Sequence, residues 1–116
     1  DTKTVFVDFH GEATSEKRAF AEYFDGKVSA VIGTHTHVQT ADEEILEKGT
    51  AYITDIGMTG PKNSIIGMDV KASLKRFTTS LPERYKIATG KAMFNGCIFE
   101  LNDDSCRVEK VIRLNM

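Results

Sequence analysis

The residues of this chain best suited to chemistry are its three histidines, two of which stand one residue apart. His35 and His37 lie in "VIGTHTHVQTAD" (31–42), and His10 closes the apolar run "TVFVDFH" (4–10). Neutral imidazole is a good ligand for Zn, Mn, Fe and Ni, and a His-x-His pair can reach one metal or two adjacent ones. Three histidines suffice for a lone catalytic zinc with an open position. The plainer alternative is a strand-end histidine bonded to backbone beside a polar loop. No Gly-x-Ser-x-Gly elbow, phosphate-binding P-loop or Cys-x-x-Cys pair is present, so those chemistries are set aside. Asp55, at the end of "AYITD", is a candidate partner behind the histidines. Asp8 is expected to point to the sheet face opposite His10, and Asp42 and Glu43 to serve as helix-start or turn carboxylates.

The elements that position these groups follow from the apolar pattern. "TVFVDFH" has the β-branched and aromatic content of a strand. "ATSEKRAFAEYFDG" pairs Ala19 with Tyr23 and Phe20 with Phe24 at i,i+4 on one apolar side, with Thr14 or Ser15 as cap and Gly26 as stop. "KVSAVIG" is a second apolar strand. Strand, helix and strand in so few residues make a βαβ unit with a parallel pair. Both strands then end at one sheet edge, which gathers His10, His35 and His37 where open α/β sheets hold their ligands. Further on, "EEILEKGTAYITDIG" offers two short antiparallel strands around Lys48-Gly49, and "MTGPKNSIIGMD" is a turn-rich connector. Asp69 can cap a helix whose apolar side is Val70, Leu74 and Phe77. "RYKIATG", "NGCIFELN" and "CRVEKVIRLN" read as closing strands, the last two as a hairpin. The class is α/β: a βαβ unit followed by mixed or antiparallel strands and one helix.

Composition bounds the partners. At 116 residues, 41% hydrophobic and 28% charged, the chain suits one soluble globular domain or less. Its net charge of −2 carries no general nucleic-acid footprint. Residues 1–61 hold five basic and eleven acidic side chains, and residues 62–91 hold seven and two. The basic segment reads as a solvated face. No apolar run approaches the length that spans a bilayer. With a hairpin turn at Asn102–Ser105, Leu101 would face Cys106 and Cys97 would lie near Lys110, too far out of register for a bridge. Two unpaired thiols suit a reducing, cytoplasmic setting.

Four stretches, "VDFHGEATSEK", "VIGTHTHVQTAD", "YITDIGMTGP" and "IIGMD", resemble the C-terminal half of the YmdB-like family of calcineurin-type metallophosphoesterases. The resemblance covers essentially the whole chain. His10 matches the family's lone histidine motif, and His35 and His37 match its final Gly-His-x-His motif. The resemblance implies an α/β sandwich, a site for two divalent ions (Mn or Fe foremost, Zn third), and hydrolysis of phosphodiesters, notably 2′,3′-cyclic nucleotides. It implies that His10 and His35 bind one metal and His37 the other, around a metal-activated hydroxide.

The family's opening Asp, bridging Glu, Asn ligands and catalytic His have no counterpart here. Residues 1–116 are accordingly expected to form a single partial domain that enters "VFVDF" as if in mid-fold. The general acid and the acidic ligands would belong to a missing N-terminal half, and the isolated chain would be inactive. The competing expectations are a non-catalytic metal-binding or interaction module and a stable core without independent work. In each case the unpaired edge of "TVFVDF" favours self-association.

Overall fold

A computed structural model describes residues 2–116. A four-stranded sheet has the order β1-β2-β4-β3, built from β1 (Phe6–His10), β2 (Ala30–Thr34), β3 (Glu44–Ile45) and β4 (Ala51–Ile53). β1 pairs parallel with β2, in register from Phe6 opposite Ala30 to His10 opposite Thr34. The crossover is α1 (Thr14–Phe24), as the βαβ reading expects. β3 and β4 form the expected antiparallel pair, and β4 also joins β2 in parallel.

Alternation along the strands gives the sheet two covered faces. Val31 and Tyr52 pack with Ala21 and Leu46 on the α1 side, supported by Val7, Phe9 and Phe20. Ala30 and Ala51 pack with Val108 on the other side, against Ile32, Phe99 and Leu101. That second layer is the hairpin of β7 (Asn95–Leu101) and β8 (Val108–Asn115). A two-stranded piece, β5 (Gly60–Pro61) with β6 (Ala92–Met93), flanks the connector. α2 (Val70–Thr79) is capped by Asp69, whose Oδ1 accepts from Ala72 N at 2.9 Å. Its expected apolar side is largely uncovered, with Leu74 52% and Phe77 76% exposed. Arg76 lies over the Tyr85 ring at 4.8 Å.

Five local expectations are corrected. The N-cap of α1 is Ala13, with no side-chain cap, so neither Thr14 nor Ser15 serves. The buried stripe of α1 runs through Lys17 and Ala21, while Tyr23 is exposed beneath Lys27. "RYKIATG" is not a strand, because its backbone bonds back onto the connector: Asp69 N donates to Lys86 O at 2.8 Å and Ala88 N to Gly67 O at 3.0 Å. In the hairpin, Leu101 faces Val108 and Cys97 faces Arg113. The turn is longer than expected because Asn102 Oδ1 accepts from Asp104 N and Ser105 N, and Asn102 N bonds Arg107 O. Both cysteines are free, as expected. Finally, Asp8 lies on the His10 side of β1, since a strand returns to the same face every second residue.

A candidate metal centre at the carboxyl edge of the sheet

The parallel β1–β2 pair brings its two carboxyl ends together, and with them His10 and His35. His35 Nδ1 stands 3.1 Å from His10 Nε2, and the rings meet edge to face at 5.0 Å. Two nitrogens each about 2.0–2.1 Å from one ion would stand roughly 3 Å apart at tetrahedral or octahedral angles. The spacing therefore fits a shared ion, and imidazole is a suitable donor for one. Thr34, opposite His10 in the ladder, approaches His10 Nδ1 at 3.1 Å.

His37 faces elsewhere. Its Nδ1 lies 2.9 Å from Ile66 O, and a carbonyl can only accept, so Nδ1 carries a proton and, in the neutral ring, Nε2 is left bare. The connector motif "IIGMD" thus supplies a backbone acceptor that orients an imidazole. Ile66 and Gly67 both take positive φ, 45° and 99°, to present that carbonyl. Among the described residues, no three His, Cys, Asp or Glu side chains converge as a complete metal cage. The three histidines share one edge as the topology requires, but only two of them meet.

The loop that carries the pair is strained. His35 has φ 124° and His37 φ 67°, in the left-handed region that favours glycine. Residues held there cost on the order of 1–3 kcal/mol each and persist where the surroundings over-determine them. Asp55 lies directly beneath. Its Oδ2 accepts from Thr36 N at 2.8 Å, between the two histidines, and its Oδ1 accepts from Gly57 N at 2.9 Å. Thr40 closes the other side, its amide donating to Asp55 O at 3.0 Å. Burial pushes the Asp55 carboxyl up, but the amides of Thr36 and Gly57, the Thr36 hydroxyl and Lys17 outweigh it and hold it below the usual carboxylate value.

Lys17 is the residue that sequence reasoning missed. It reaches from α1 through the sheet edge, Nζ 3.2 Å from Asp55 Oδ2 and 3.1 Å from Thr54 O, with the two side chains 1% and 0% exposed. Space for it comes from Gly33: a Cβ there would lie 1.7 Å from Thr54 O and 3.0 Å from Lys17 Cδ. The clue available in the sequence was the glycine directly before the histidine motif.

The other carboxylates hold the scaffold. Asp42 accepts from Thr54 N at 3.3 Å and from the Thr54 hydroxyl. Burial raises its carboxyl and the Thr40 and Thr54 bonds lower it further, leaving it below the usual value. Glu43 pairs with Arg113 at 3.2 Å. Gln39 ties the far end of the histidine loop to the hairpin, its Nε2 donating to Leu114 O at 2.9 Å and Gly96 O at 3.2 Å.

The chain is 54% identical over 113 residues to a 2′,3′-cyclic-nucleotide 2′-phosphodiesterase of Bacillus subtilis, and 44% identical to a putative phosphatase/phosphodiesterase of Mycoplasma genitalium. These matches take in 97% and 100% of the chain but 43% and 42% of the relatives, so the chain spans less than half their length. In the B. subtilis protein the matched part is the C-terminal half. A phosphatase structure from Mycoplasma pneumoniae superposes with a TM-score of 0.94 at 42% identity, over all of this chain and 42% of the other. A hypothetical protein from Thermus thermophilus gives 0.90 at 47%, over 98% and 44%. The mixed α/β fold is that of the metallophosphoesterase type. The YmdB-like protein model matches residues 1–114, and the chain belongs to that family.

Proposed function

We propose that the chain contributes the histidine side of a di-metal phosphodiesterase site. His10 and His35 would hold one divalent ion and His37 the other, for hydrolysis of a phosphodiester, with 2′,3′-cyclic nucleotides the first substrates to test. The observation that carries the reading is the 3.1 Å approach of His10 Nε2 to His35 Nδ1, made by residues 25 apart in sequence. It is supported by the bare Nε2 of His37 two residues on, and by relatives that bear the names phosphodiesterase and phosphatase. When bound, two such ions supply Lewis-acid polarisation of the phosphoryl oxygens and a water acidic enough to attack at neutral pH. The family resemblance puts Mn and Fe first, with Zn third; imidazole donors by themselves suit Fe and Zn.

This chain's own residues orient the ligands. Ile66 O fixes the His37 tautomer, and Asp55, braced by Lys17, holds the Thr36 amide and so the loop. The acidic ligands and the general acid belong to an N-terminal half outside the matched part, and the chain alone is inactive. The free thiols suit a reducing, cytoplasmic setting. No helix among the described residues is long and apolar enough to cross a membrane.

The test is elemental metal analysis with a 2′,3′-cyclic AMP hydrolysis assay, run on the chain alone and after mixing with a separately made N-terminal half. Activity and about two ions per pair only on mixing is the expected result. A second reading, a metal-binding module without catalysis, is favoured by the incomplete cage among the described residues. One tightly bound ion in the chain alone, with nothing added on mixing, would select it.

A further inference from the structure

We infer that Asp8 and Thr34 are positioning residues of the metal site. They form a carboxylate–hydroxyl–imidazole relay that fixes the His10 tautomer and aims its Nε2 at the ion. The inference rests on the metal-site reading and adds two residues to it. Thr34 Oγ1 donates to Asp8 Oδ1 at 2.7 Å, and His10 Nδ1 lies 3.1 Å from the same Oγ1. A carboxylate only accepts, so the single hydroxyl proton of Thr34 is committed to Asp8. The contact with His10 must then use a proton on Nδ1, which in the neutral ring leaves Nε2 with its lone pair. That is the nitrogen facing His35 Nδ1 at 3.1 Å.

The backbone makes the relay from ordinary strand geometry. Asp8 and His10 are two apart on one face of β1, and Thr34 stands opposite His10 on β2. Gly11 N donates to Thr34 O at 3.3 Å and extends the ladder past the histidine. Ligating histidines are commonly oriented by an acceptor on their second nitrogen, and loss of that acceptor typically lowers metal affinity 10- to 100-fold. Here the acceptor is a hydroxyl, itself held by a carboxylate.

The experiment uses the full-length protein labelled with 15N-histidine. Long-range proton–nitrogen spectra of the metal-free protein report the tautomer, and the free-ion EPR signal reports Mn2+ affinity. The variants are Thr34→Val, Thr34→Ser and Asp8→Ala, with His10→Ala as the control. The expected wild-type spectrum shows His10 protonated at Nδ1. Thr34→Val, close in shape, moves the proton towards Nε2 and weakens Mn2+ binding about 10-fold or more, and Thr34→Ser restores both. Asp8→Ala weakens binding in the same direction and carries the test if the valine variant does not fold. Wild-type tautomer and affinity in Thr34→Val or Asp8→Ala would overturn the relay while the metal site stands. Failure of both variants to fold would assign the pair a structural role and also overturn it. Unchanged Mn2+ affinity in His10→Ala would instead overturn the metal-site reading on which the inference rests.

Discussion

Thr36 N donates to Asp55 Oδ2 at 2.8 Å, across 19 residues, and this one bond sits between the two histidines whose backbones are strained. The same oxygen faces Lys17 Nζ. A buried ion pair therefore supports a loop that would otherwise relax.

Lys17→Met leaves the Asp55 charge buried without its cation, and it is expected to destabilise the fold by about 3–5 kcal/mol in urea unfolding. The double variant Lys17→Met/Asp55→Asn removes both charges and is expected to recover much of that loss. A double variant less stable than Lys17→Met would show that the carboxylate acts without the lysine.

The carboxyls of Asp55 and Asp42 are both held below their ordinary value in the folded chain. Their contribution to stability is thus present above the unfolded carboxyl value near 3.9 and is lost as pH falls from there through the lowered folded values. The urea midpoint should be nearly flat from pH 7 to about pH 5 and fall steeply below about pH 4. A midpoint that holds to about pH 2.5 would refute the role given to these two groups.

Replacing His35 or His37 by glycine releases positive-φ strain at 124° and 67°. Each variant is expected to stabilise the metal-free protein by about 1 kcal/mol while removing a ligand. Thermal unfolding with and without Mn2+ separates the two effects: the melting point rises in chelator and its metal response shrinks. A drop in both would mean that the imidazoles are structural.

Gly33→Ala places a Cβ 1.7 Å from Thr54 O, which nothing short of backbone movement relieves. The expected cost is about 3 kcal/mol or more, because the new methyl meets backbone between two paired strands. A variant with wild-type stability would contradict the observed approach of β2 to the end of β4.

How far the fold could be read from sequence depended on how local the signals were. β1, α1 and β2 announce themselves by period and by Gly26, and once they are a βαβ unit, His10 and His35 must share an edge. The β3–β4 pair and Asp69 as a cap are equally local. Lys17 was not legible: a lysine in a charged helix start resembles a solvated one, and its partner is 38 residues away. Asp8 shares the His10 face of β1 because a strand returns to one face every second residue, a signal the sequence carries in full. The hairpin register slipped because Asn102 organises a turn larger than four residues. "RYKIATG" has strand composition but bonds the connector instead. His37 was found, but its orientation by Ile66 O depends on a turn that composition alone does not specify.

The most direct test of the central claim is metal stoichiometry in the full-length protein, by elemental analysis of wild type, His10→Ala, His35→Ala and His37→Ala after equilibration with Mn2+. Two ions in wild type, with one lost in each variant and the His10 and His35 variants alike, is the predicted result. Two ions retained in all three variants would contradict the assignment of this sheet edge as the histidine side of a di-metal centre.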